Sequence, residues 1–501
     1  MTDPPRMPEA PSGSAHAAHA AERLDLDRAL LSGLAWTGAA RWSAQALTWA
    51  TTIFLARLLT PEDYGIWTSA AVYVGIVALL SEFGIGASVV MLRDLTRQQI
   101  AQINGLAVLA GFGAMALSLV LASPIAAFYR TPVVAPLISA ISIVFVISAF
   151  RIVPVAILQR DLHFRFLALA DLVRSIVMSV VLIAFALAGF GFWIFPIGVL
   201  AGEVVWTGLA LVARRHPISW PRLGRIRHAI QFSSDIVLSR LSWYGYSNAD
   251  FLIAGRLLGP TALGSYGMAW NMASVPVDKI NSIIMGVTPA VFSAVQDRKV
   301  ELRRYVTALT GSISMLAFPA GLGLALVADD FVRVVLGPEW TAAVGPIRVL
   351  AIYATVRSLT PILTPVLNAV GETRFALWNN VLALVLLPMA FLAGSRWGIV
   401  GIAAGWAIGH PLIMVRLYRR VAERTELRAR EYFNAVLPAL RAATIMVAAV
   451  LLLKLFTQGL PPAIRLPLYV AVGACTYGGV VWLFDRERVR AIWRAVRKAR
   501  A

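Results

Sequence analysis

Charge is what this chain of 501 residues has least of. Only 14% of its residues are Asp, Glu, Lys or Arg, against about 25% in an ordinary soluble domain. So little charge cannot cover a soluble surface, which excludes a soluble enzyme and, with it, an intrinsically disordered chain. Cysteine is nearly absent: the single Cys475 rules out an intrachain disulfide framework and, set in an apolar run, reads as a small core residue. No G-x-x-x-x-G-K-[ST] run occurs, so the chain is not expected to hydrolyse ATP. No metal-ligand spacing occurs either, and neither a metal nor a cofactor is expected. Residues 1–20 are rich in Pro, Ala and Ser and lack an apolar core. They read as a disordered tail and not as a signal peptide, so the first span is expected to direct insertion.

What is abundant is apolar surface: 59% of residues are hydrophobic and the mean hydropathy is +0.73. A bilayer core of about 30 Å takes roughly 20 apolar residues in a helix. Runs of that kind predict an all-α polytopic membrane protein of about fourteen transmembrane helices, near 33–56, 64–90, 103–128, 133–157, 166–188, 191–213, 229–257, 264–292, 305–327, 342–369, 376–394, 397–417, 435–456 and 464–484. The basic residues fall in alternate connections. Arg93 with Arg97, Arg160 with Arg165, the Arg214–Arg227 group, the Arg298–Arg304 group and the Arg416–Arg430 group lie on one side. The other side holds no more than one arginine per loop, as with Arg57, Arg130, Arg256 and Arg333. By the positive-inside rule both termini are then cytoplasmic. The net charge of +19 is chiefly topology and does not point to nucleic acid. The tail 485–501 places Val489, Ile492, Trp493 and Val496 at helical spacing among many arginines. It reads as a basic amphipathic helix on the anionic leaflet or as a plain solvated tail.

The chain also repeats. Arg57-Leu58-Leu59-Thr60-Pro61 recurs 199 residues later as Arg256-Leu257-Leu258-Gly259-Pro260. Tyr64-Gly65 then corresponds to Tyr266-Gly267 after three extra residues, and Gln159 with Arg165-Phe166 to Asn368 with Arg374-Phe375. This predicts a duplicated six-helix unit. An even number of spans gives both copies one orientation, a parallel repeat with the substrate route between the lobes. The expected organisation is a cytoplasmic tail (1–30), an N-terminal six-helix lobe (31–215), a cytoplasmic linker (216–228), a C-terminal six-helix lobe (229–420), two additional spans (421–484) and the basic tail (485–501).

A charge at mid-membrane costs about 2.5–3.5 kcal/mol on insertion scales. Each one needs a partner, a wet cavity or a task. Arg41 in the first span and Arg240 in the seventh are again 199 residues apart. They could converge on a central cavity and pair bidentately with phosphate, or they could bind nearby acids such as Asp235 as structural glue. Lys279 could extend the cationic lining or pair locally, and Asp250 could be a counter-ion or a coupling-ion ligand. Trp42 and Gln45, with Trp243 and Asn248, surround the arginines with the aromatic faces and amides that suit a sugar. An interfacial aromatic belt is the alternative. Glu82, Asp171, Arg174, Glu203, Arg348 and Arg357 read as snorkelling or helix-pairing charges, His410 as a satisfied buried histidine, and Asp329-Asp330 as helix-end caps.

With Phe54-Leu55-Ala56-Arg57-Leu58-Leu59-Thr60-Pro61-Glu62-Asp63-Tyr64-Gly65, Ser81-Glu82-Phe83-Gly84-Ile85-Gly86, Leu158-Gln159-Arg160 before Phe164-Arg165, and Leu257-Leu258-Gly259 before Tyr266, the chain resembles the Wzx-type oligosaccharide flippases. These form the polysaccharide-transporter branch of the multidrug/oligosaccharidyl-lipid/polysaccharide exporter superfamily. The resemblance spans roughly residues 30–484. It implies movement of undecaprenyl-pyrophosphate-linked repeat units across a bacterial inner membrane by alternating access, with membrane lipids and a polysaccharide polymerase or export machinery as partners. A drug/cation antiporter would instead require an acidic cavity, and a membrane glycosyltransferase or polymerase a long external loop bearing acids or His. Arg41→Gln combined with Arg240→Gln is expected to abolish glycan export while leaving the protein inserted. Normal surface polysaccharide in the double mutant, at equal protein level, would contradict that assignment.

Overall fold

The computed structural model describes residues 38, 40, 42–82, 85–92, 94–222, 224, 241–285, 288, 292, 295, 296 and 298–500. The tail 1–30, Arg41, Arg240 and the linker beyond residue 224 lie outside them. Helix α1 covers 42–56. It is followed by α2 (Pro61–Glu82), α3 (Ile85–Met91), α4 (Arg97–Tyr129), α5 (Val134–Ile141), α6 (Ile143–Arg160), α7 (Phe164–Leu187) and α8 (Ile194–Ala213). After a short helix at 241–247 come α9 (Ala249–Leu258), α10 (Pro260–Met285), α11 (Lys299–Phe331), α12 (Val344–Arg357), α13 (Leu363–Ala369), α14 (Thr373–Gly394), α15 (Gly398–Thr425), α16 (Ala429–Phe456) and α17 (Pro462–Arg500). No strand occurs among the described residues.

The helix limits follow local chemistry. Proline opens α2, α10 and α17, where its missing N–H costs nothing and its φ is already helical. Thr96 and Gln99 form a capping box at the start of α4. Gly398, at φ +66°, turns α14 into α15, a backbone position that side chains with a Cβ avoid. Ten stretches among the described residues are long and apolar enough to cross a bilayer, and one of them, Arg374–Thr425, contains both α14 and α15. The first, seventh and eighth expected spans are not among the ten. The first and seventh are described only in part, and α10 carries Ser, Asn, Asp and Lys within its length.

Helices of the first half pack around a core centred on Ile138, Ile141 and Phe145. Those of the second half pack around Tyr266, Trp340, Leu387 and Trp406. Helices α16 and α17 lie against α11, where Arg465 of α17 binds the buried Asp330 at 2.7 Å. Asp330 therefore joins two helices, and Asp329 pairs with Arg333 at 3.1 Å; the two acids act as ion-pair partners in place of caps. Cys475 is exposed and not a core residue, because α17 stands at the edge of the bundle. The tenth span is interrupted between Arg357 and Leu363 by a 3-10 turn containing Pro361, and the fourth is broken at Ser142. Helix α17 continues to Arg500 across a kink at Asp485.

The two halves meet through glycine where α2 and α10 run side by side. A Cβ on Gly65 would fall 1.7 Å from the Pro260 carbonyl oxygen, and one on Gly264 would fall 1.7 Å from that of Pro61. This exchange is the mark of a two-fold relation between α2 and α10. It also corrects the repeat: Gly65 corresponds to Gly264, at the same 199-residue spacing as the proline, and not to Gly267. Gly65→Ala is expected to push the helices apart and destabilise the protein by about 1–3 kcal/mol, as overpacking does. Gly208→Ala, with open space around its Cβ, is expected to leave Tm unchanged. Equal melting temperatures for the two variants would contradict the close approach.

Candidate functional site

Between the halves lies a cavity of about 680 Å³, within the usual range of roughly 300–1,000 Å³ for ligand sites. Helices α1, α2, α7 and α8 form one wall. The 241–247 helix, α9 and α10 form the other. Its lining is polar for a site within an apolar bundle. Thr48, Thr51, Thr52, Thr68, Ser175 and Ser179 contribute hydroxyls, Gln45, Asn248 and Asn271 contribute amides, and Trp49, Tyr64, Trp67, Tyr244 and Trp270 contribute aromatic rings. Several hydroxyls are quieted by their own helix: Thr48 donates to the Ala44 carbonyl at 2.9 Å, Thr52 to Thr48 at 2.9 Å and Thr68 to Tyr64 at 2.7 Å. Two groups are not. The indole Nε1 of Trp49 and the Oγ1 of Thr51 are buried without a hydrogen-bond partner. An unmet buried donor costs about 1–3 kcal/mol, which a polar occupant would recover.

Arg174 brings positive charge to the N-terminal wall. It reaches Glu203 at 3.0 Å and Asp171 at 3.2 Å, and Glu203 also accepts from Arg151 at 2.8 Å. The sequence pattern marked Arg174 only as a helix-pairing charge. It does pair, and it also faces the cavity, a double role that spacing along one helix could not reveal. From the other wall, Lys279 donates its ammonium to the Gln45 side chain, joining α10 to α1. Behind Trp270, Arg357 binds Asp278 at 2.7 Å and stands over the Trp270 and Tyr353 rings. No Asp or Glu lines the cavity among the described residues.

The anticipated site residues therefore divide. Gln45 and Asn248 line the cavity, and Lys279 bonds to Gln45. Trp42 and Trp243 do not line it and are 51% and 53% exposed. Arg41 and Arg240 are outside the described residues. Asp250 is wholly buried behind Phe251 and held by donors: the Tyr266 hydroxyl and the Trp406 indole at 2.7 Å each, and the Phe251 amide at 2.9 Å. His410 packs edge-on against Tyr353 beside this group, with its Nδ1 unpartnered.

One end of the cavity is shut by reciprocal bonds. Arg57 gives Nε to the Val335 carbonyl at 2.9 Å and a terminal nitrogen to Val334. Its repeat partner Arg256 donates to the carbonyls of Phe128 at 2.6 Å and Ala127 at 3.3 Å. These acceptors lie in the last turn of α4 and in the π-helical turn that extends α11. Carbonyls at helix ends have spare acceptor capacity, even where, as at Ala127, a capping N–H is already bound, and a cation there also meets the negative end of the helix dipole. The Trp340 indole adds a buried bond to the Ala56 carbonyl at 2.7 Å, and Tyr64 packs edge-on between Trp340 and Phe195 at 5.1 Å from each.

Known proteins share both sequence and fold with this chain. Over 399 residues it is 24% identical to the lipopolysaccharide biosynthesis protein WzxC of Escherichia coli (strain K12), covering 77% of this chain and 79% of that protein. It is also 24% identical to the teichuronic acid biosynthesis protein TuaB of Bacillus subtilis (strain 168), over 460 residues, 90% of this chain and 95% of the relative. The fold matches the lipid II flippase MurJ in an inward closed conformation, with a TM-score of 0.75 at 11% identity, covering 90% of this chain and 99% of the other. The family model described as polysaccharide biosynthesis protein matches residues 54–345, more than half of the chain. The chain belongs to that family, the Wzx-type polysaccharide flippases.

Proposed function

We propose that this flippase carries an undecaprenyl-pyrophosphate-linked oligosaccharide unit from the cytoplasmic to the outer leaflet of a bacterial inner membrane, by alternating access of its two lobes. One observation carries the reading. An apolar bundle encloses, between its repeated halves, a cavity rich in amides, hydroxyls and aromatic faces, in which the Trp49 N–H and Thr51 hydroxyl lack partners. A sugar offers many hydroxyls and apolar ring faces to such a lining, and a pyrophosphate suits Arg174 and Lys279. The same lining speaks against a cationic drug, for which an acidic wall is required. The relatives' names, which concern lipopolysaccharide and teichuronic acid biosynthesis, support a saccharide.

If the arginine-rich connections are cytoplasmic, the end shut by Arg57 and Arg256 is the periplasmic one, and the described conformation faces inward. The substrate's lipid tail stays in the bilayer while its head enters the cavity, so a seam between helices must part. The Gln45–Lys279 bond between α1 and α10 crosses one such seam. Arg41 and Arg240, which the repeat spacing pairs in the sequence, are further candidates for anion-binding charge. Asp250, in this reading, anchors the C-terminal lobe. A coupling cation bound there would have to displace the Tyr266 and Trp406 donors that already hold it. Interaction with a polymerase or export machinery would follow at the periplasmic end.

Thr51→Val keeps the side-chain shape and removes only the unpartnered hydroxyl. It is expected to lower export about tenfold, the worth of one well-placed hydrogen bond of roughly 1.4 kcal/mol, with lipid-linked repeat units accumulating on the cytoplasmic face. Export equal to wild type at equal protein level would sink the assignment of this wall to the substrate.

A further inference from the structure

A second cleft lies away from the cavity, between α11 and α16, with a volume of about 660 Å³. Its upper rim is basic: Arg303 and Arg304 from α11, with Asn434 from α16. Arg303 is engaged, facing Glu431 at 3.7 Å and donating to the Glu426 carbonyl at 3.4 Å. Glu431 in turn accepts from the Arg428 amide as the capping residue of α16. Neither Arg304 nor Asn434 makes a side-chain hydrogen bond or ion pair among the described residues, and both are exposed. The rim thus keeps one uncompensated guanidinium and one amide donor after its internal pairing is complete.

Below the rim the cleft becomes small-sided and apolar. Ala308, Gly311, Ser312 and Met315 form its floor with Ala435. The Ser312 hydroxyl is turned into its own helix, donating to Ala308 at 3.0 Å, and Gly311 lets α11 approach the Ala435 carbonyl. Depth fixes what can reach this place. At about 1.5 Å per residue, the stretch of α11 from Arg304 to Phe331 is roughly 40 Å long, close to the thickness of about 40–45 Å for a bilayer with its headgroups. Arg304 therefore stands at headgroup level and the small-residue floor at the level of the first acyl carbons.

We propose that this cleft binds one anionic phospholipid, its phosphate on the Arg304 guanidinium and Asn434 amide and one acyl chain along Ala308, Gly311 and Ser312. A phosphate suits the planar fork bidentately, and a basic pocket between spans at the headgroup boundary is a recurring lipid-recognition device. Because α16 precedes α17 outside the six-helix repeat, this lipid would seal the additional helices to the C-terminal lobe. The site is separate from the substrate cavity, so the proposal stands whether or not the transport reading does.

The test is native mass spectrometry of the full-length protein in detergent, titrated with phosphatidylglycerol, with phosphatidylcholine of the same chains, and with glycerol phosphate. One phosphatidylglycerol is expected to be retained in preference to phosphatidylcholine. Its retention is expected to fall about tenfold in Arg304→Glu, which removes the anion partner, and in Ala308→Trp, which fills the floor without touching a charge. Retention unchanged in both variants, or no preference over phosphatidylcholine, would overturn the site. Displacement of the lipid by glycerol phosphate alone would overturn the assignment to a phospholipid.

Discussion

Two arginines in equivalent positions of the repeated Arg-Leu-Leu-x-Pro segment each bond main-chain carbonyls at a helix end in the other half. Arg57 serves Val334 and Val335, and Arg256 serves Ala127 and Phe128. The glycine–proline exchange at Gly65 and Gly264 depends on the same junction, as does the Trp340–Ala56 bond. The cavity lies between the two halves that these bonds join. The bonds are of a kind that can be released. Their acceptors are main-chain groups at helix ends, where water can replace the guanidinium, and no buried carboxylate would be stranded by opening.

The cavity and its surroundings handle charge in two ways. Around Glu203 the charges neutralise one another, with Arg151 and Arg174 on either side of one acid. Around Asp250 a single acid is held by neutral donors in a fully buried site. The first arrangement leaves a guanidinium edge facing the cavity; the second turns its polarity inward and braces α9 against α10 and α15. This division explains why a polar lining coexists with a bundle whose outer faces are almost wholly apolar, and why the most polar helices are the ones that meet at the centre.

Much of this was legible in the chain. The apolar runs marked the helices, since a membrane leaves the backbone no other way to satisfy itself. The Arg-Leu-Leu-x-Pro repeat marked a duplication, but that its two copies lie against each other is visible only in the structure. Gln45, Asn248 and Lys279 were marked by polarity in apolar company. What was not legible depends on how each helix sits in the bundle. Trp42 lies two turns before Trp49 on nearly the same face of α1 and differs from it in depth: Trp49 reaches the cavity wall, whereas Trp42 is exposed beyond it. Arg174 looked like a paired charge because pairing is local, whereas its exposure to the cavity is set by α1 and α2, far away in the chain. The register of Gly264 was obscured by the tyrosine two residues on, and Cys475 by the fact that an apolar neighbourhood in a membrane can be lipid as readily as core.

The most direct measurement is of distance across the junction, by pulsed electron paramagnetic resonance between spin labels at Glu62 and Glu339 in a Cys475→Ser background, with and without Arg57→Ala and Arg256→Ala. The account predicts one short distance in the otherwise unaltered protein and a second, longer population when both arginines are removed. A single unchanged distance in the double variant would contradict the claim that these reciprocal bonds hold the end of the cavity closed.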